Sequence, residues 1–296
     1  MNSLNLWPIG NCQVSALIDE AAGMVWGCAP AVDGDPLFCS LLEPKGGGAQ
    51  PRGEWRVSLE NQVRVEQRYL RNTPILVTRL SDADGNSADV YDFCPRFERT
   101  GRMYRPVAFV RIVRPIEGAP RVRIALNPAV NWGAADADRT SGTNHIRYLL
   151  RPQPLRLTTD APVGHILESR SFRLEKSLHF FLGPDEPFSG QLGHSIATML
   201  HQTSDEWRGW VRGLAIPLEW QNVVIRAAIT LKLCQHEETG AIVAALTTSI
   251  PEAANSARNW DYRYCWIRDA YYTVQALNRL GALDVLENYL SYLRNI

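Results

Sequence analysis

The chain has 296 residues, and its 31 lysines and arginines balance its 31 aspartates and glutamates, so the formal net charge is zero. Binding to nucleic-acid phosphates needs an excess of basic residues, so the composition argues against a nucleic-acid partner. A hydrophobic content of 45% is sufficient for a folded core, and the length suggests about two domains.

No stretch of the sequence approaches the roughly 18 consecutive apolar residues of a transmembrane helix. The first eight residues also lack the basic region and apolar run of a secretory signal. We therefore expect a cytoplasmic protein without membrane contact. Widely spaced cysteines with no C-x-x-C pair predict reduced, mostly buried thiols; these are Cys12, Cys28, Cys39, Cys94, Cys234 and Cys265.

Short alternating runs of apolar and polar residues dominate the first two-thirds of the chain. The Asp-Gly turn cluster at residues 82–86 separates two such runs and predicts a hairpin. Many short strands at this spacing favour an antiparallel sandwich over a parallel sheet with crossover helices. The predicted strands cover residues 62–70, 74–81, 88–93, 107–113, 122–126, 145–150 and 177–182.

The pattern becomes helical near residue 204, where Ser204 is a candidate cap for a helix that ends before Pro217. Further helices are predicted over residues 218–234 and 266–280, with Gly281 as the C-cap, and from residue 282 onwards. Residues 241–248 between them are predicted to be extended. The predicted domains are a β-sandwich over residues 1–203, a helical linker over 204–217, and the start of a helical catalytic domain over 218–296.

The last predicted helix carries an apolar row that must face another element. No later segment of the sequence can cover this row, so we expect the sequence to be cut inside a helical domain. The row is formed by Leu283, Leu286, Leu290 and Leu293.

The segment from Asn259 to Ala270 is the densest in chemically useful side chains, with four aromatic residues, two arginines and two aspartates. If it is helical, Tyr262, Trp266 and Asp269 lie on one face with Arg268 beside them. Aromatic rings stack on the CH faces of a sugar, while charged groups bond its hydroxyls. The residues alone leave open a second interpretation, a buried Arg-Asp network that joins two layers of the fold.

The same segment closely resembles the signature near the start of the catalytic domain in glycoside hydrolase family fifteen, the glucoamylase and bacterial trehalase-like family. Three further stretches resemble this family in the same order, at residues 6–12, 33–39 and 239–252. The resemblance therefore extends over nearly the whole chain.

This resemblance implies a mixed fold, an N-terminal antiparallel β-sandwich followed by an (α/α)6 barrel. The residues after Pro217 would supply about three or four barrel helices. It also implies that Arg268 and Asp269 hold the hydroxyls of the non-reducing glucose, and that Tyr262 and Trp266 line the same subsite. Trp260 and Asp261 are further candidates. No position matches the general acid or general base, which the resemblance places beyond Ile296.

The implied activity is inverting hydrolysis that releases glucose from the non-reducing end of α-glucans. Trehalose hydrolysis is the alternative, since the opening at residues 6–12 belongs to the branch that contains trehalase-like proteins. A non-catalytic sugar-binding or structural module is the third reading. Inversion requires two carboxyl groups about 6.5–9.5 Å apart, so the 296-residue chain alone is expected to be inactive. An α-glucoside or trehalose is the expected partner, and homo-oligomer formation stays open.

Other candidate sites are weaker. Glu237 and Glu238 are predicted to be a solvated helix end rather than a catalytic pair, since neighbouring helical side chains point about 100° apart. The six histidines lack metal-ligand spacing, so no metal and no cofactor is predicted. The glycines at residues 46–48 are not followed by Lys-Ser/Thr and predict a surface loop.

Two further features have a structural and a functional interpretation. Residues 33–36 are typical of a plain turn, and the alternative is a sandwich loop that leans on the mouth of the catalytic domain and narrows access. Three tryptophans at helix-packing positions are predicted to be core residues, namely Trp207, Trp210 and Trp220.

Overall fold

The computed structural model describes residues 4–42, 52–248, 256 and 258–296. This part of the chain forms antiparallel β-structure first and helices afterwards. The strands are β1 Trp7–Gly10, β2 Ser15–Ile18, β3 Gly23–Cys28, β4 Pro36–Phe38, β5 Glu54–Leu59, β6 Gln62–Tyr69, β7 Leu76–Asp82, β8 Ser87–Phe93, β9 Phe97–Arg99, β10 Arg102–Tyr104, β11 Phe109–Glu117, β12 Arg121–Asn127, β13 Ala129–Val130, β14 Ala135–Asp136, β15 Arg139–Ser141, β16 His145–Tyr148, β17 Leu155–Thr159, β18 Phe172–Arg173 and β19 Leu178–Pro184.

The helices follow the strands, apart from one short helix and one 3-10 turn within the β-region. The 3-10 turn covers Ser40–Leu42. The α-helices are α1 Val163–Leu167, α2 Leu192–Arg212, α3 Gln221–Leu233, α4 Ile267–Arg279 and α5 Leu283–Asn295.

Two large antiparallel sheets form the β-region. The first has the order β1-β2-β3-β5-β12-β18, with β4 paired to β3, and the second has the order β15-β16-β17-β19-β11-β8-β7-β6. β9 and β10 form a separate hairpin, and so do β13 and β14. The side chains of both large sheets contribute to one buried apolar core. The predicted sandwich and its strands are thus confirmed.

One ion pair lies inside this sandwich. Arg111 on β11 and Asp92 on β8 are both fully buried, with 2.6 Å between Nε and Oδ1. Arg111 also donates hydrogen bonds to the carbonyl oxygens of Ala22 and Trp55, which belong to the first sheet and its adjoining turn. The guanidinium therefore links the two sheets, and its hydrogen bonds compensate for the loss of water.

The predicted helix start at Ser204 is wrong, because α2 begins at Leu192 and Ser204 is buried in its interior. The first half of α2 covers the outer side of the second sheet, where Ile196 packs in a cluster with Val110 and Ile112 of β11. This tertiary contact stabilises a segment that is rich in polar residues. The sequence does contain a signal for this first half of the helix, namely apolar residues at helical spacing: Leu192, Ile196 and Met199. The predicted boundary at residues 203 and 204 falls within one continuous helix.

Helices α3 and α4 lie where the sequence predicts them. Gly281 ends α4 with a φ of +81°, and the hydrogen bonds Gly281 N to Asn278 O and Ala282 N to Leu277 O complete a Schellman motif. Residues 241–248 do not form the predicted strand. Within them, Ile242 makes an isolated β-bridge with Gln235.

Most of the apolar row on α5 is uncovered in the described part of the chain, as the sequence leads us to expect, and only Leu286 is half-buried. Leu283, Leu290 and Leu293 are exposed, and Val285 and Tyr289 on the adjacent face are buried instead. The buried face packs in one cluster with residues of α3 and α4. Among the described helices, none is long and apolar enough to cross a bilayer.

Candidate functional site

The aromatic cluster of the site consists of Trp260, Tyr262 and Trp266. Residues 259–266 are not helical, and α4 begins only at Ile267, so the predicted helical face does not exist there. The irregular backbone nevertheless brings the rings together. The ring centroid of Trp266 lies 6.0 Å from that of Trp260 and 5.3 Å from that of Tyr262, both in edge-on arrangements.

Backbone contacts hold this segment in place. The indole Nε1 of Trp266 donates to the carbonyl oxygen of Asp261 at 2.9 Å. The amides of Ala244 and Ala245 donate to the carbonyl oxygens of Tyr264 and Tyr262 at 3.1 and 2.8 Å. The link between α3 and α4 therefore supports the aromatic cluster from one side.

Arg268 and Asp269 lie next to the cluster, in the first turn of α4. Nη2 of Arg268 is 3.1 Å from Oδ2 of Asp269, and the two side chains are 68% and 32% exposed. A carboxylate in the first turn of a helix is favoured by the helix dipole. The pair therefore presents hydrogen-bond donors and acceptors to solvent beside aromatic rings, which is the combination that a sugar subsite needs.

The second Arg-Asp pair of the segment is structural. Arg263 is buried, and its Nη2 lies 2.7 Å from Oδ2 of Asp261. Partial burial acts to raise the pKa of Asp261, but the hydrogen bonds from Arg263 outweigh it and lower that pKa. The interpretation as an Arg-Asp network therefore fits Asp261 and Arg263, whereas Arg268 and Asp269 form an accessible pair and stay the predicted sugar contacts.

Arg263 also connects the site segment to the sandwich. Its Nη1 donates to the carbonyl oxygen of Gly34, and its guanidinium carbon lies 4.6 Å from the ring centroid of Trp132. Loop 33–36 is therefore more than a plain turn, because Gly34 contacts the site segment directly. Neither Arg263 nor Trp132 is predicted individually from the sequence; the Asp-x-Arg spacing at residues 261–263 is the local signal for Arg263.

Glu237 is not the solvated residue that the sequence predicts. Its carboxylate lies 2.5 Å from Nη1 of Arg96 and 2.9 Å from Nζ of Lys232, at the interface between the sandwich and the helices. Burial acts to raise the pKa of Glu237, yet the charges of Lys232 and Arg96 outweigh it and lower that pKa. A carboxylate held ionised in this way is a poor proton donor. Glu238, its neighbour, is exposed.

The remaining predictions have mixed outcomes. Trp207 is fully buried and Trp210 is half-buried, but Trp220 is 76% exposed, so its assignment to the core is wrong. The thiols are buried or half-buried, as predicted. Across the described ranges, no group of three potential ligands could hold a metal ion. Residues 46–48 and 249–252 lie outside the described residues.

Two sequence families match the chain. Residues 5–171 match the family described as "Trehalase-like, N-terminal", and residues 220–295 match "Glycosyl hydrolases family 15". Curated relatives include trehalases from Thermoplasma volcanium (28% identical, covering 92% of this chain and 44% of the relative), Mycolicibacterium smegmatis (28%, 97% and 46%) and Thermoplasma acidophilum (29%, 86% and 44%). The chain thus spans less than half the length of these relatives.

Proposed function

Because the chain belongs to the trehalase-like family within glycoside hydrolase family 15, we propose that the protein binds trehalose at residues 260–269 and takes part in its hydrolysis. In that reaction one water molecule adds across the glucosidic bond and two molecules of glucose are released. The observation that carries the proposal is the accessible Arg268 and Asp269 pair beside the aromatic cluster.

Each part of the site has a role in this proposal. The rings of Tyr262 and Trp266 stack against the CH faces of the glucosyl unit that Arg268 and Asp269 hold, and Trp260 extends the same wall. Arg268 donates hydrogen bonds to hydroxyl oxygens, while the carboxylate of Asp269 accepts them from hydroxyl groups. Asp261, a further candidate from the sequence, serves the site through Arg263 and through the carbonyl that holds Trp266.

Trehalose takes precedence over α-glucans in this proposal. The sequence motifs favour α-glucans first and trehalose second, but the three relatives are trehalases. The order is therefore reversed, and α-glucan hydrolysis becomes the second candidate. Initial rates of glucose release from trehalose, maltose and starch, measured at equal concentrations of glucosidic bonds, distinguish the two.

We also propose that residues 1–296 alone do not catalyse hydrolysis. Inversion needs an acid and a base carboxyl group about 6.5–9.5 Å apart, and the carboxylates of Asp261 and Glu237 are both tied to cations. The purified 296-residue chain is expected to release no glucose above a mock preparation. Activity above that background would show that the acid and the base lie within this chain.

The decisive experiment uses the protein as its gene encodes it. The wild type should release glucose from trehalose, and Asp269→Ala should weaken trehalose binding by about tenfold or more, since a hydrogen bond to a charged group contributes roughly 1.5–3 kcal/mol. Glu238→Ala, an exposed carboxylate outside the site, is the matched control. Unchanged affinity of Asp269→Ala would refute the site, and binding of trehalose without hydrolysis would favour a non-catalytic sugar-binding module.

A further inference from the structure

We propose that Trp132, a residue of the sandwich, stacks against the glucose unit that leaves when the bond of trehalose is broken, a role that rests on the proposed function. Trp132 lies at the tip of the β13–β14 hairpin. It would make the sandwich part of the substrate site rather than only its support, and it would contribute to the choice between substrates.

The backbone at Trp132 adopts a conformation that disfavours a large side chain. Asn131, Trp132 and Gly133 have φ angles of +53°, +58° and +88°, so three successive residues are left-handed. Asparagine and glycine tolerate this region, whereas tryptophan is strained there. The carboxylate of Asp35 holds the turn by accepting hydrogen bonds from the amides of Asn131 and Trp132 at 2.6 and 2.8 Å. Strain of this kind is concentrated at functional positions.

The indole ring is fixed on one side and open on the other. The guanidinium of Arg263 lies 4.6 Å from its centroid, and the ring of Trp26 lies 6.3 Å away at an angle of 54°. Trp132 nevertheless keeps 49% of its surface exposed. An orientated aromatic ring with free surface binds a sugar with little loss of side-chain freedom.

The position of Trp132 relative to the site indicates which sugar unit it meets. Arg263 bonds the carboxylate of Asp261, and Asp261 in turn accepts the indole hydrogen bond of Trp266. Trp132 and the aromatic cluster are therefore connected through a single ion pair. In the proposed binding mode, Arg268 and Asp269 on α4 hold one glucosyl unit, and Trp132, on the sandwich side of the Arg263 and Asp261 ion pair, contacts the second.

Two substrates separate this role from a purely structural one. Trehalose has a sugar leaving group, whereas α-glucosyl fluoride has only fluoride. In the protein as its gene encodes it, Trp132→Ala should lower kcat/KM for trehalose by roughly tenfold, mostly through KM, because stacking of this strength is lost. The same variant should leave kcat/KM for α-glucosyl fluoride unchanged, and Trp132→Phe should recover most of the activity on trehalose.

Trp220→Ala is the matched control, since Trp220 is also exposed and left-handed, with a φ of +61°, but caps α3. It should behave as the wild type on both substrates. Equal losses on both substrates in Trp132→Ala would overturn the proposal, because they would indicate a disturbed Arg263. Unchanged kinetics on trehalose would also overturn it. If the wild type hydrolyses neither substrate, the proposed function itself fails, and this is known before any variant is made.

Discussion

The sandwich and the helices α3 to α5 bury their apolar side chains in different ways. The two sheets cover each other, so the inner side chains of both, such as Trp55 and Phe180, are fully buried. The helices share a small cluster of their own, and apolar side chains such as Ile267, Tyr272 and Leu290 stay exposed in the described structure. The sandwich core is thus closed by its own residues, whereas the helices leave apolar surface open and α3 also packs against Cys12 of the β-region.

The buried charges of the two regions differ in the number of their partners. Among the described residues, Arg111 in the sandwich forms an ion pair with one carboxylate, that of Asp92. At the interface with the helices, the carboxylate of Glu237 has Arg96, Lys232 and, at 3.5 Å, Arg105 around it. Removal of one partner leaves an isolated buried charge in the first case but a still compensated one in the second. Stability measurements can test this difference.

The largest effect is expected for Arg111→Met. It leaves the carboxylate of Asp92 buried without its cation, so the free energy of unfolding should fall by about 3–5 kcal/mol. Urea titration followed by circular dichroism measures it. Arg64→Met is the control, because the Arg64 and Glu66 pair is exposed and should contribute about 0–1 kcal/mol. A loss of similar size in both variants would contradict the distinction between buried and exposed pairs.

A smaller loss is expected for Lys232→Met at the interface. Lys232 is buried, but Glu237 retains its two arginines, so the free energy of unfolding should fall by roughly 1–3 kcal/mol. The exposed Lys176→Met serves as the reference variant. A loss as large as that of Arg111→Met would show that the two arginines do not compensate the charge of Glu237. The two regions would then not differ in how they tolerate the loss of a charged partner.

The pH dependence of stability provides a third test of the interface. The folded pKa of Glu237 is lowered, so the unfolded chain takes up a proton first on acidification. This contribution to stability is present above the ordinary pKa of glutamate, about 4.3, and is lost as the pH falls through the folded value. Glu237→Gln should therefore flatten the decline in unfolding free energy between neutral and acid pH. Glu238→Gln should retain the wild-type slope. An equal slope in all three proteins would show that Glu237 does not contribute to the pH dependence of stability.

The smallest effect is expected at the end of α4. Gly281 has a φ of +81° with open space around it, so Gly281→Ala introduces strain without a clash and should cost about 1 kcal/mol. Gly164 in α1 has equal space around it but no positive φ, so Gly164→Ala should be neutral or slightly stabilising. Thermal unfolding of both variants compares them directly, and equal shifts would argue against the left-handed cap.

Much of the fold follows from local patterns in the sequence. Alternation predicts strands such as β6 to β8, and the Asp-Gly turn predicts the hairpin between β7 and β8. Gly281 marks the end of α4 because only a residue without a Cβ enters the left-handed region easily. The start of α2 was missed because its first half is stabilised by packing on β11, a contact that no local pattern contains.

The candidate site shows where local information ends. The contact residues predicted from the sequence all lie within one segment, and the structure gathers three of their rings into one cluster. The sequence could not tell the two Arg-Asp pairs of that segment apart, since both are short-range combinations of the same residue types. The partner that makes Arg263 structural, Gly34, lies 229 positions away in the chain.

The amino-acid sequence by itself determined the strand and helix periods, the family resemblance and the segment rich in aromatic and charged residues. Only the tertiary structure decided which of these residues are accessible, because burial depends on contacts between segments that are distant in the chain. Asp261 and Glu237 are tied to buried cations, whereas Asp269 pairs with the exposed Arg268 and Trp132 keeps about half of its surface exposed. The physical reason is that the exposure and the charged partners of a carboxylate or a ring are set by its neighbours in space, and these come from both the sheets and the helices.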